Sequence, residues 1–203
     1  MGFYGVARGV MGGLFRVLYR VRVVGQENEP REASYVSIAN HISFLDPIFA
    51  AIALRRKQRF IAKQELTSHS ALRLVFRIFD VLTVQEGESN LATFRAAIQT
   101  LREGGCIGLF PQGKRIPYEA PLPTQAMGGL LVIANGAKAD ILPVSIVIKG
   151  NKPRPFRRTT IVISKPVPYE TYHAEEQASG RNQAAASCFA RVCAPITEGE
   201  AAV

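Results

Sequence analysis

The chain has 203 residues, 47% of them apolar, which is enough for one domain with a full core and too apolar for a disordered chain. Its 25 basic and 16 acidic residues leave a net charge of +9, which points to an anionic partner: a membrane surface, a phosphorylated substrate or nucleic acid. Cys106, Cys188 and Cys193 are odd in number and contain no Cys-x-x-Cys pair, which argues against a disulfide framework, and no apolar run approaches the roughly 18 residues of a spanning helix.

The first predicted element is a helix over residues 3–20. At about 100° per residue, Phe3, Val6, Ala7, Val10, Met11, Leu14, Phe15, Val17 and Leu18 gather on one broad face. Arg8, Arg16 and Arg20 fall opposite, with Gly5, Gly9, Gly12 and Gly13, and no acid precedes Glu27. A wide apolar face beside arginines describes a helix lying in a membrane interface, with Arg8, Phe15, Arg16 and Arg20 in contact with lipid. The competing account is a helix packed on the protein's own core. A signal peptide fits poorly, because arginines interrupt the apolar run and no small-residue cleavage site follows. Val6 stands where a myristoylation signal needs Ser or Thr. The expected division is an interfacial helix over residues 1–22 and one domain over residues 23–203.

Val21–Gly25 predicts a short strand, and Gln26–Glu32 a polar loop. The apolar run Tyr35-Val36-Ser37-Ile38-Ala39 predicts a buried strand. It leads into Asn40-His41-Ile42-Ser43-Phe44-Leu45-Asp46, and Pro47 then opens a helix running to Leu54. A turn of this length can fold back and bring Asp46 onto one ring nitrogen of His41. The other nitrogen is then free to take a proton from a hydroxyl, which makes a base and its orienter with no nucleophile of the protein's own. The bland alternative makes Asp46 an N-cap and Ser43 a turn residue.

Arg55–Arg59 is a basic loop, Arg59–Ala62 a second strand, Ala71–Phe79 a helix and Val81–Val84 a strand. Leu91, Phe94, Ala97, Ile98 and Leu101 recur at three- and four-residue spacing and predict a helix over Asn90–Arg102, ended by Gly104. Cys106–Phe110 is a strand, followed by Pro111-Gln112-Gly113-Lys114-Arg115. A glycine turn at a strand end can present amides to an anion, and Lys114 and Arg115 add charge; the alternative is a solvated basic turn. A loop with Pro117, Pro121 and Pro123 suits a flap beside a substrate site. Gln125–Asn135 predicts a helix, and Ile141–Ile148 and Thr159–Ser164 predict strands. Between those strands, Lys149–Arg158 carries Lys152, Arg154, Arg157 and Arg158 with no acid, a basic tip suited to an anionic bilayer or simply to solvent. Asn182–Cys193 predicts a terminal helix. His69 and His173 have no partnered pattern, and without a second His/Cys/Asp cluster no metal is expected. No basic stripe carries interleaved aromatics, so nucleic acid is not the expected partner. Strands alternating with helices predict an α/β fold: a mostly parallel central sheet flanked by helices.

The block from Asn40 to Asp46 resembles the Asn-His-x-Ser-x-x-Asp block of the glycerolipid acyltransferases, the family of 1-acylglycerol-3-phosphate acyltransferases. Phe110, Pro111, Gly113 and Arg115 match a second block of that family, where Gln112 replaces a glutamate and Lys114 a threonine or serine. Lys63-Gln64-Glu65-Leu66 resembles its Lys-x-Glu-Leu, and the proline of Leu142-Pro143-Val144 matches its apolar-Pro-Val block. Near Gln85 the family places a phosphate-holding arginine that is missing here. The resemblance implies an O-acyltransferase with His41 as base and Asp46 as its orienter, without an acyl-enzyme. It further implies substrate contacts at Asn40, Ser43, Lys63, Gln112, Gly113, Lys114 and Arg115. The donor would be acyl-CoA or acyl-carrier protein as co-substrate, with no other cofactor. The acceptor would be a lysophospholipid, with 1-acylglycerol-3-phosphate the default, in phospholipid biosynthesis. A peripheral place on the cytoplasmic face of a membrane, the inner membrane of a bacterium, follows from the same resemblance. The departures at Gln85 and Gln112 favour, as alternatives, another lysolipid, amino-lipid or glycolipid acceptor. A non-catalytic membrane- or anion-binding protein is the remaining account.

Overall fold

The computed structural model describes residues 3–63, 81–84 and 90–201. The helix expected over Ala71–Phe79, the stretch Gln64-Glu65-Leu66 and Gln85 lie outside the described residues. In chain order the elements are α1 (Phe3–Leu18), β1 (Arg22–Val24), β2 (Tyr35–Ala39), α2 (Asp46–Ala53), β3 (Gln58–Lys63), β4 (Leu82–Val84), α3 (Leu91–Arg102), β5 (Cys106–Leu109), α4 (Gly129–Ala137), β6 (Asp140–Ile148), β7 (Thr159–Ile163), α5 (Tyr169–Ser179) and α6 (Arg181–Ala201).

Seven strands of the described residues form one sheet in the order β1-β7-β6-β2-β5-β3-β4. The β6–β7 pair is antiparallel and the other pairs are parallel. All five residues of β2 are buried, as an interior strand covered on both faces requires. Val36 and Ile38 point to one face, packed with Leu101, Leu131, Ile133 and Phe189 from α3, α4 and α6. Tyr35 and Ala39 point to the other, packed with Phe49 and Ile52 of α2. α2 thus covers one face while α4 covers the opposite one. The crevice between the C-terminal ends of β2 and β5 therefore opens where successive crossovers part, the place where such sheets hold ligands.

α1 does not divide as its wheel predicts. Gly12 is buried against Ile52 of α2, its would-be Cβ lying 3.6 Å from Ile52 Cγ2. Phe15 is half-buried, its ring 5.8 Å from Phe49 and 5.3 Å from Tyr19. That edge of the helix packs on the domain, where the small Gly12 permits close approach, and Phe15, expected at the lipid, shares its ring with this packing. Arg16 and Arg20 are exposed, and Leu14 and Val17 are the outward apolar residues. The side chain of Arg8 lies outside the described residues. No helix among the described residues is long and apolar enough to cross a membrane.

Candidate active site

The turn after β2 is built around one carboxylate. Asp46 is the first residue of α2 and is fully buried. Its Oδ2 accepts the backbone N–H groups of Ile42 and Ser43, each at 2.7 Å, and stands 2.8 Å from His41 Nδ1. Its Oδ1 accepts the Ser43 hydroxyl at 3.1 Å. Leu45, not Asp46, occupies the cap position of α2. The N-cap account of Asp46 is therefore set aside: its side chain turns back to the amides that precede the helix. A carboxylate only accepts, so His41 Nδ1 carries the proton and Nε2 is left as an acceptor. The His41 side chain keeps 19% of its surface exposed, enough to meet a reactant, while that of Asp46 keeps none.

Three further contacts fix the histidine. Its ring stacks on Phe110, centroids 4.3 Å apart, and Phe110 in turn stacks on Phe60 at 6.0 Å. Its backbone N–H donates to Gln112 Oε1 at 2.7 Å. Its carbonyl accepts the N–H of Ile116 at 2.7 Å.

Asn40 lies under the site. Its Nδ2 donates to the Ile146 carbonyl at 3.0 Å and its Oδ1 accepts the Ile146 N–H at 2.8 Å. The side chain thereby continues the β2–β6 ladder beyond the Ala39–Val144 pair. Ser43 spends its hydroxyl on Asp46 and accepts the N–H of Leu45 at 2.9 Å. Both residues, expected to touch substrate, here bond the protein itself and brace the turn. Lys63 ends β3, and its side chain lies outside the described residues.

Opposite His41, the chain leaves β5 through the second block. Gly113 takes φ +66°, a left-handed turn that suits glycine, and its N–H donates to the Phe110 carbonyl at 3.0 Å. That amide is thus used inside the turn, where an anion-facing amide was expected. Gln112 is buried and its Nε2 donates to Gln125 Oε1 at 2.7 Å. Gln125 Oε1 also accepts the N–H of Leu122 at 3.1 Å. Because backbone N–H groups meet this pair at both ends, the direction of the amide–amide bond is set. Gln125 was missed from sequence, and a lone glutamine before a helix gives no signal. Arg115 lies with its guanidinium 3.4 Å over the ring of Phe44, and Lys114 is exposed. Gln112, Lys114, Arg115, Ile116, Pro117, Glu119 and Gln125 line an open cleft of about 460 Å³. The proline loop thus lies against the basic block.

A buried aspartate bonded to a half-buried histidine at the carboxyl edge of a mostly parallel sheet defines an α/β protein with a candidate site at that edge. Residues 20–147 match the family model described as Acyltransferase, and the chain belongs to that family. It is 25% identical over 126 residues to the 1-acyl-sn-glycerol-3-phosphate acyltransferase of Bacillus subtilis, covering 62% of this chain and 61% of that protein. It is 30% identical over 98 residues to the enzyme of the same name from Borreliella burgdorferi, covering 47% of this chain and 39% of that protein. The chain thus spans less than two thirds of the length of these relatives. Its fold is that of the 1-acyl-sn-glycerophosphate (LPA) acyltransferase PlsC of Thermotoga maritima, with a TM-score of 0.69 at 23% identity over 98% of this chain and 84% of that one.

Proposed function

We propose that this protein transfers a fatty acyl group from a thioester to a hydroxyl of a lysophospholipid, with 1-acylglycerol-3-phosphate as the first acceptor to test. The observation that carries the proposal is the 2.8 Å contact of His41 Nδ1 with Asp46, which leaves Nε2 to accept a proton. Family membership and the names of the relatives supply the reaction class.

The acceptor hydroxyl gives its proton to His41 Nε2 as its oxygen attacks the thioester carbonyl. Asp46 stabilises the imidazolium that forms. The tetrahedral intermediate collapses, the C–S bond breaks, and the thiolate takes the proton from Nε2. Ester and free thiol leave, and His41 returns to its starting tautomer. A base of this kind contributes about 10²–10⁴-fold, and positioning supplies much of the rest. The donor is acyl-CoA or acyl-carrier protein. Lys114 and Arg115 beside the cleft suit an acceptor phosphate. Peripheral association with the cytoplasmic face of a bacterial inner membrane, through α1, belongs to the same proposal.

A second reading keeps the chemistry and changes the acceptor. Glu119 shares the cleft with Lys114 and Arg115, and Gln112 is neutral, so a head group carrying an amine beside its phosphate also fits.

The test is thiol release from acyl-CoA and from acyl-carrier protein across a panel of lysolipids, for wild type and His41→Ala. Release that needs an acceptor and is lost in a folded His41→Ala supports the proposal. Release kept by His41→Ala overturns the base assignment. No release with any donor and acceptor pair moves a non-catalytic, lipid-binding role to the front.

A further inference from the structure

The β6–β7 connection carries a surface that the chemistry of the site does not use. Residues 149–158 contain Lys149, Lys152, Arg154, Arg157 and Arg158 and no acid. Lys152, Arg154, Arg157 and Arg158 are all exposed. Among them Phe156 holds its ring in solvent, 71% exposed, at φ +63°. A bulky side chain with positive φ is an uncommon and costly arrangement, and here no packing of the ring explains it.

The connection is tied to the end of α1. The N–H of Phe156 donates to the Leu18 carbonyl at 2.6 Å, and that of Thr159 to the Tyr19 carbonyl at 3.0 Å. The exposed Val17, Arg16 and Arg20 therefore stand beside Phe156 and its arginines, and Leu14 lies one turn back along α1. The connection is also tied to the active site. Tyr118 N–H donates to the Asn151 carbonyl at 3.1 Å, two residues after Ile116 bonds the His41 carbonyl. The Lys152 ammonium bonds the Tyr118 hydroxyl and lies 4.8 Å over its ring.

We propose that residues 149–158 form a second membrane-docking element, in which Phe156 inserts between anionic lipids while Arg154, Arg157 and Arg158 bind their head groups. Apolar tips ringed by cations suit a negatively charged bilayer, to which each arginine near the surface adds attraction. Contact through both α1 and this connection fixes the rotation of the domain. The edge bearing His41 then faces the lipid, because the 116–118 stretch joins the two. This extends the membrane placement proposed above, and its test reads binding separately from acyl transfer.

The test uses the full chain and vesicles of phosphatidylcholine with or without phosphatidylglycerol. Phe156→Gly is the informative variant. Glycine accepts the positive φ, so the backbone is kept or stabilised while the ring is lost. The expected result is an unchanged or raised melting temperature with binding to phosphatidylglycerol vesicles weakened about 10-fold. The triple variant Arg154→Ser, Arg157→Ser, Arg158→Ser is expected to lose about 10- to 100-fold and most of the salt dependence. Thiol release with short-chain, water-soluble substrates stays at the wild-type rate in both. Wild-type vesicle binding by both variants at low salt overturns the proposal. Weakened binding to nucleic acid with vesicle binding intact overturns it in favour of a different anionic partner.

Discussion

The Gln112 side chain accepts the backbone N–H of His41 across 71 residues of sequence, at 2.7 Å. The other end of the same amide donates to Gln125, so one buried group joins the histidine turn to the proline loop. Gln112→Glu keeps the acceptor for His41 but has no donor for Gln125. Gln125 must then turn its own N–H₂ inward, and the Leu122 N–H loses its partner. The expected cost is about 1 kcal/mol, or roughly 2–4 °C in melting temperature at this size. Gln112→Ala strands the buried His41 N–H and is expected to cost more, about 1–3 kcal/mol, together with turnover. Equal melting temperatures for the two variants would show that the acceptor does not hold the turn.

Gly108 of β5 leaves room for the aromatic stack that ends on the histidine ring. A Cβ there would overlap the Phe60 ring, which stacks on Phe110, which stacks on His41. Gly108→Ala is expected to push this stack toward the site. The turnover number should fall by about 10-fold or more, since small misplacements of a catalytic group are costly. Phe60→Leu should restore part of the loss in the Gly108→Ala background, because the smaller side chain yields the space. No rescue in the double variant would locate the damage elsewhere.

The cysteines are buried and unpaired. Burial raises the Cys106 thiol above its usual range and pushes Cys188 up to about 12 and Cys193 up to about 11. Neutral thiols are favoured in the fold, so their stabilising contribution is full below about pH 8.5. It is lost as pH rises through the folded values. None of the three cysteines should react rapidly with a disulfide reagent at pH 8 until guanidinium is added. A fast-reacting thiol in the native protein would contradict this.

Much of this molecule can be read along the chain, where one element's own period decides. The buried run of β2, the three- and four-residue spacing of α3 and the apolar run of β6 each give their element directly. The His41–Asp46 contact is legible for the same reason: both partners sit within one short turn. α5 escaped, because Tyr172 is its one buried residue and the rest of its surface is polar. α6 runs on through Pro195 to Ala201, past the alanine-rich stretch that announces it. The supports of the site were hidden because each joins distant segments: Asn40 with Ile146, Gln112 with Gln125, Phe60 with Phe110. The division of α1 was misjudged for a related reason. A wheel ranks residues by polarity, whereas Gly12 faces the domain because it is small.

The strand order has a consequence for how the protein is made. β2 lies between β5 and β6, so His41 is held by partners that are synthesised much later. On a ribosome the histidine turn emerges early and stays without its clamps until Gln112, and then Ile146, leave the exit tunnel. His41 and Asp46 thus come from one early stretch, but their alignment waits for segments about 70 and 105 residues further along the chain. Prematurely terminated products that stop before β6 would carry the whole Asn40–Asp46 block and still lack the strand against which Asn40 seats it.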